Sequence, residues 1–375
     1  MNNKSLKILR IVQSTYPEVM GGVGLHVHGM SKLQAEMGHD VTVVTTDNGN
    51  HSQPNREERD GYTICRHLEI ARPFDNSITP GVLRSLRKYS TEADVVHVHS
   101  HLYFMSNLSA LYGVFSDTPI ILTNHGLVSQ TAPIPIQKLF IPTIGRFTFE
   151  AADHILCYTD TDKMRLRERG IKTSISVIHN GIDCTRFRPN KNNRRNQILF
   201  VGRLKPGKGV DNLIASFGEI ADNHPDWILK IVGAGPQREE LQKKVSEMNI
   251  WNQVEFSGEI PNEKIPDIYA DSEIFVLPSK SEGLPRTILE ALACETPVIT
   301  SNLPQLESVV EGAGLTVNPE STIELSNALN ELIGKDKKRR ELGNCGRQKI
   351  VENYSWQDTV EKTVRVYRKS MTDSG

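Results

Sequence analysis

No two cysteines stand at metal or redox spacing: Cys65, Cys157, Cys184, Cys294 and Cys345 are odd in number and far apart. That excludes a disulfide framework and a cysteine zinc site, and the expectation is reduced thiols in a cytoplasmic protein. No apolar run approaches the roughly 20 residues of a membrane span. Met1-Asn2-Asn3-Lys4-Ser5-Leu6 leads into a strand-like segment rather than a signal peptide. Charge of one sign is also missing. With 44 Lys+Arg against 45 Asp+Glu the net charge is −1, which excludes the basic footprint of a dedicated nucleic-acid binder. What is present is the composition of a globular chain, 38% hydrophobic and 24% charged, neither disordered nor fibrous. At 375 residues such a chain favours two domains of core-forming size.

The pattern supports two half-chains of one kind. Leu6–Val12, Val41–Thr45, Val95–Val98, Pro119–Thr123, His154–Cys157 and Ser176–Ile178 read as strands separated by segments of helical period. A helix from about Gly24 to Met37 follows the first glycine loop. The pattern restarts with strands at Gln197–Val201, Ile228–Val232, Val254–Phe256, Ile274–Leu277 and Val298–Thr300. Alternation of this kind predicts parallel sheets covered on both faces, hence an α/β chain of two doubly wound, Rossmann-like domains facing a central cleft. The polar stretch Arg188–Asn196 reads as a solvated linker. The expected domains are 1–189, 190–355, and a final helix over 356–375 whose packing partner the pattern does not name.

Two segments point to a phosphate ligand. Gly202-Arg203-Leu204-Lys205-Pro206-Gly207-Lys208-Gly209 lies between a strand and a helix. Its glycines let backbone approach an anion, the helix start offers free N–H groups, and Arg203 and Lys208 add positive charge. A Walker A reading fails because Gly209 stands where Ser or Thr should hold magnesium, and Val232-Gly233 lacks the expected Asp. In the second segment, Ser281–Glu290, Glu282 sits in a loop and Glu290 about two turns further on a helix, near the same face. Two such carboxylates suit sugar hydroxyls, with the amides of Gly283 and Leu284 suiting a phosphate between them. An acid pair for glycoside hydrolysis competes with this, although both acids come from one local segment. The N-terminal Gly21-Gly22-Val23-Gly24 is a weak dinucleotide fingerprint and a better loop of bare N–H groups.

Taken with Asn180-Gly181-Ile182-Asp183, Gly233-Ala234-Gly235-Pro236 and Pro297-Val298-Ile299, these motifs run in order over about residues 6 to 367 and resemble glycosyltransferase family 4. The resemblance implies the GT-B fold and a retaining hexosyltransferase that takes a nucleotide-sugar (UDP or GDP) as substrate, with no cofactor and no bound metal. It implies Arg203 and Lys208 on the diphosphate, Glu290 on the ribose, Glu282 on the donor sugar, and Gly22 backbone near phosphate and acceptor. It also implies a final helix that crosses back to the first domain. The family often has glycine where Glu295 stands here, so an altered turn is expected.

Eleven of 12 histidines lie in the first half. His97, His99 and His101 alternate and so could share one strand face. A zinc site would need a fourth ligand that is not adjacent, and polar residues lining the cleft are the expectation. His125 matches the family's active-site histidine and is expected to hydrogen-bond the donor sugar. The acceptor is expected to be a glycan or lipid-linked hydroxyl, with a role in cell-envelope or glycan biosynthesis. The basic helical stretches Leu83–Lys88 and Arg165–Arg169 read as solvated faces or as peripheral contacts with anionic lipid at the inner face of the membrane. Other readings stay open: a sugar-nucleotide epimerase, a phosphorylase, or a silent sugar-nucleotide binder.

Overall fold

The computed structural model describes residues 4–19, 21–129, 131–190 and 194–373. Lys191, Asn192 and Asn193 of the expected linker lie outside the described residues. The chain forms two compact units, one running to Gly181 and including the residues from Trp356 onward, the other Ile182–Ser355. The expected boundary at residue 189 therefore moves. Ile182 and Phe187 are buried in the second unit, Ile182 N–H donates to Tyr354 O at 2.8 Å, and Arg195 and Asn196 already belong to a strand.

The first unit contains β1 (Lys7–Ile11), β2 (Asp40–Thr46), β3 (Arg56–Arg59), β4 (Tyr62–His67), β5 (Val95–His99), β6 (Ile120–Thr123), β7 (His154–Cys157) and β8 (Ser174–Val177). Their order is β3-β4-β2-β1-β5-β6-β7-β8, parallel except for the β3/β4 hairpin. The near-continuous apolar strands suit a sheet buried on both faces. One face packs Leu9, Ile11, Val98, Phe149 and Leu166. The other packs Ile8, Val27, Met30 and Tyr62 with Trp356, Val360, Val364 and Tyr367 of the final helix, Trp356–Asp373. The 3.6-residue spacing of those four side chains makes the stripe that this core covers.

The hairpin went unseen in the pattern because β3 reads Arg-Glu-Glu-Arg. The usable signal was the Asp60-Gly61 dipeptide, whose φ angles of 46° and 83° are those of a tight hairpin turn.

The second unit orders β9 (Arg195–Val201), β10 (Ile228–Val232), β11 (Val254–Gly258), β12 (Ser272–Leu277), β13 (Val298–Ser301) and β14 (Gly314–Val317) as β11-β10-β9-β12-β13-β14, all parallel. β14 was not expected from the pattern. In each unit the chain winds to one side of the first strand and then to the other. The switch points, β1/β5 and β9/β12, are where sheets of this kind bind ligands beyond the strands' carboxyl ends. Among the described residues no helix is long and apolar enough to cross a membrane.

Candidate functional site

At the second unit's switch point, β9 runs into Gly202–Gly209 and β12 into Pro278–Pro285. Leu204, fully buried, pins the first loop. Its N–H donates to Ala234 O at 2.8 Å and its carbonyl accepts from Gln237 N–H at 3.1 Å. Gly233, at φ 132°, is required there, because a Cβ would run into the Gly202 carbonyl. The two switch-point loops are joined twice. Lys280 N–H donates to Gly207 O at 2.8 Å, and Lys208 Nζ lies 2.5 Å from Glu282 Oε1.

Gly209 sets how closely the loops approach. Its φ is 71°, and a Cβ would meet the Pro278 carbonyl. Gly209→Ala is expected to cost about 1–3 kcal/mol in backbone strain, seen as several degrees of Tm. A melt within one degree of wild type would contradict this.

The structure thus brings Lys208 and Glu282 together as an ion pair, where the resemblance implied separate duties. Arg203 is exposed and has no carboxylate partner among the described residues. Lys205, passed over in the motif reading, is a third cation. Its pKa is lowered by burial first, then by the charges of Arg203 and Lys208.

Gln305, on the Pro304–Val310 helix, donates from Nε2 to the Glu282 carbonyl at 2.5 Å. Nothing in its local sequence signals that role. The buried Ser279 Oγ and Gln305 Oε1 have no partner among the described residues, which leaves hydrogen-bonding capacity unused beside Glu282.

The following helix is Arg286–Ala293 with Pro285 as its N-cap. Gly283 and Leu284 therefore precede it instead of forming its first turn. Their amides have no hydrogen-bond acceptor among the described residues. Glu290, on the second turn, is 7% exposed and sits 3.6 Å from Arg286 Nε. Burial, and then the Glu290 carboxylate, push the Tyr269 phenol well above its ordinary range. Glu282 and Glu290 are thus a loop acid and a buried helix acid, with no shared helix face.

Glu295 sits in a left-handed turn. Its φ of 58° is the left-handed conformation that glycine would supply. Arg194 Nη2 holds the turn by donating to the carbonyls of Cys294 at 3.0 Å and Glu295 at 2.8 Å.

In the first unit the helix Gly22–Glu36 begins two residues earlier than expected, with Gly21 as N-cap. Gly22 and Gly24 therefore lie in its first turn, where N–H groups have no intrahelical acceptor. Gly24 packs on backbone, its Cβ direction 3.2 Å from Val19 O.

The next turn carries His26, whose Nδ1 is 2.9 Å from Asn180 Oδ1. The rings of His99, His125, Tyr158 and Trp356 surround it at 5.4 to 5.8 Å between centroids. His125 has both nitrogens engaged, Nε2 at 2.9 Å from His99 Nδ1 and Nδ1 at 3.1 Å from Tyr158 OH. A bond from His125 to a donor sugar requires exchanging one of these. Burial pushes its pKa down to about 3, so it is neutral at pH 7.

His97 and His99 are fully buried, with rings 4.4 Å apart; they form part of the interior and do not line a surface. Arg10, also fully buried, donates to Ser31 Oγ at 2.5 Å, Gln34 Oε1 at 2.7 Å and Tyr367 OH at 3.3 Å. The Tyr367 hydroxyl also hydrogen-bonds with His97 Nδ1 at 2.5 Å. His97 Nε2 hydrogen-bonds with Thr123 Oγ1 at 2.7 Å. His101 leaves this face, because Ser100 turns the chain at φ 66°. Its ring stacks on Phe149 at 4.3 Å. The three alternating histidines therefore do not share one face. Among the described residues no group of three or more His, Cys, Asp or Glu side chains is placed to hold a metal ion.

Comparison with known proteins covers both units. Residues 20–186 match the model described as Glycosyltransferase Family 4, and residues 182–349 the model described as Glycosyl transferases group 1. The chain is similar to a glycogen synthase of Mycobacterium tuberculosis, 26% identical across 96% of this chain and 94% of that protein. It is also similar to a GDP-mannose-dependent alpha-(1-6)-phosphatidylinositol monomannoside mannosyltransferase of Mycolicibacterium smegmatis, at 24% over 92% and 94%. Among solved structures, sucrose-phosphate synthase of Thermosynechococcus elongatus superposes with a TM-score of 0.82, 22% identity and coverage of 98% and 100%.

Proposed function

The chain belongs to the family 4 glycosyltransferases and has their GT-B fold of two parallel-sheet domains, and on that premise we propose that it moves a hexose from a UDP- or GDP-sugar to a hydroxyl of a glycan or lipid-linked acceptor, with retention at the anomeric carbon. The observation that carries this reading is the paired Lys208 and Glu282 at the β9/β12 switch point, with Arg203 and the Gly283 and Leu284 amides beside them. Breaking the anomeric bond to phosphate builds negative charge on the diphosphate and positive charge on the sugar. Arg203 and Lys208 meet the first, which is the electrostatic stabilisation that supplies the largest catalytic contribution in many enzymes. Glu282 leaves Lys208 for the donor sugar when the diphosphate takes over the cation. Glu290 holds the ribose, and the Gly22 amide faces phosphate and acceptor. His125, held neutral, offers an N–H or a lone pair rather than a charge. The departing phosphate receives the acceptor's proton. The nucleotide-sugar is a substrate, and no resident cofactor is invoked. The setting consistent with such a reaction is cytoplasmic.

Calorimetric titration with a panel of UDP- and GDP-sugars tests this, wild type beside Glu290→Ala. One donor should bind, and the variant should lose about 10- to 100-fold in affinity, the value of hydrogen bonds to a charged group. Unchanged binding in the variant would remove Glu290 from the ribose. Release of free nucleotide only in the presence of an acceptor distinguishes transfer from epimerisation.

A further inference from the structure

The first unit carries a row of polar side chains through an otherwise apolar layer. Arg10 on β1 stands opposite His97 on β5, and His99 follows two residues on, so both histidines point to one side of the sheet. Tyr367 of the final helix joins the first two, its hydroxyl 3.3 Å from Arg10 Nη2 and 2.5 Å from His97 Nδ1. The His97 and His99 rings lie 4.4 Å apart at 31°. His99 pairs with Thr123 in the β5/β6 register, and the chain leaving β6 brings His125 Nε2 to 2.9 Å from His99 Nδ1. The row ends at the Tyr158 hydroxyl, 3.1 Å from His125 Nδ1. Apolar side chains would fill these positions without the desolvation that buried imidazoles and a guanidinium cost. What the row achieves instead is a fixed His125.

Burial, and then its histidine neighbours, keep His99 neutral, and a neutral imidazole has one N–H and one lone pair. His99 is fully buried, and its Nε2 has no partner among the described residues. A proton on that nitrogen would be a buried donor without an acceptor, which is costlier than a bare lone pair. The favoured place for the His99 proton is therefore Nδ1, facing His125.

We propose that His99 is a positioning residue for His125, donating from Nδ1 to His125 Nε2 and so holding the His125 proton on Nδ1, aimed at the Tyr158 hydroxyl. The Nδ1–H is then the group that leaves Tyr158 for an oxygen of the donor sugar, and His125 serves there as a hydrogen-bond donor. That last step rests on the proposed transfer reaction, whereas the tautomer does not. Arg10, Tyr367 and His97 support His99 from behind, with His97 itself anchored to Thr123 Oγ1 at 2.7 Å.

Long-range proton–nitrogen NMR spectra of the full chain, isotope-labelled in histidine, read the tautomer, and loss of signals in His125→Gln identifies those of His125. Wild type is expected to carry the His125 proton on Nδ1. His99→Asn keeps an N–H close to the Nδ1 position and should preserve that pattern, whereas His99→Leu should give both tautomers. Nucleotide release from the donor found by titration is the second readout. In His99→Leu its kcat should fall about 10- to 100-fold, the range for losing a group that orients a functional histidine, with the donor KM unchanged. His99→Asn should recover most of that loss. Each variant removes the same buried ring, so a merely structural role would slow both alike. A wild-type His125 proton on Nε2, an unchanged tautomer in His99→Leu, or equal kcat in the two variants overturns the inference. Nucleotide release from no donor, with the tautomers as expected, would sink the transferase reading alone.

Discussion

Replacing Lys208 by alanine is expected to lower kcat about 10²–10³-fold, the size of effect seen when one preorganised charge-stabilising donor is removed. Lys208 is the cation that the β9 loop carries to the β12 loop, 2.5 Å from Glu282. Its side chain is 18% exposed and that of Glu282 is 9%. The ammonium is therefore positioned by the fold, and little reorganisation is needed when charge develops on a departing diphosphate. Truncation also strands Glu282 as a poorly solvated carboxylate, which by itself costs stability. Lys208→Ala combined with Glu282→Gln separates the two effects. The double variant should regain Tm and stay as slow as Lys208→Ala. Single-turnover rates at saturating donor are the measurement. A Lys208→Ala enzyme with wild-type kcat would remove the residue from the chemistry.

A steep loss of stability on mild acidification is the second large effect expected. Burial pushes His101 and His125 to about 3. It also holds His97 and His99 well below the usual histidine range, with further depression of His97 by Arg10 and of His99 by its histidine neighbours. In the unfolded chain each would titrate near 6.5. Below that pH the unfolded state takes up protons that the folded state refuses. Stability is thus complete above about pH 6.5 and declines as pH falls, at roughly 1.4 kcal/mol per pH unit for each such histidine. Four of them together could remove about 5 kcal/mol per unit, comparable with the whole stability of a domain.

The carboxylates do not share this window. Burial works to raise Glu18, but Arg59 and Arg66 hold it at about 2, and its contribution is lost only as pH falls below the ordinary carboxylate range. Melts in buffers from pH 7.5 to 5 check the expectation. His101→Phe, which keeps the stack on Phe149, should flatten the slope by about one histidine's share. A Tm that is flat from pH 7 to 5 would contradict it.

Much of the architecture was legible along the chain. Strand-sized apolar runs alternating with 3.6-residue patterns announced parallel α/β domains, and the glycine loops after β9 and β12 announced close backbone approach. These features are local. Apolar period depends on which face of an element is covered, and a glycine's place depends on its own φ or on one near contact, as at Gly209 and Gly233. What the local pattern obscured was equally physical. The β3 strand is polar because it lies at the sheet edge, and Gly22 and Gly24 enter a helix because its first turn tolerates poor helix formers.

Composition, alternation and turn chemistry, which are properties of neighbouring residues, were determined by the sequence alone. The tertiary structure decided the partners. It paired Lys208 with Glu282 across 74 residues, put Gln305 under the Glu282 carbonyl, buried Glu290, and joined Tyr367 to His97 across 270 residues. It also engaged both nitrogens of His125 in contacts within the unit. Such pairings follow from strand order and from which helix covers which face, and a local period carries no information about who its partner will be.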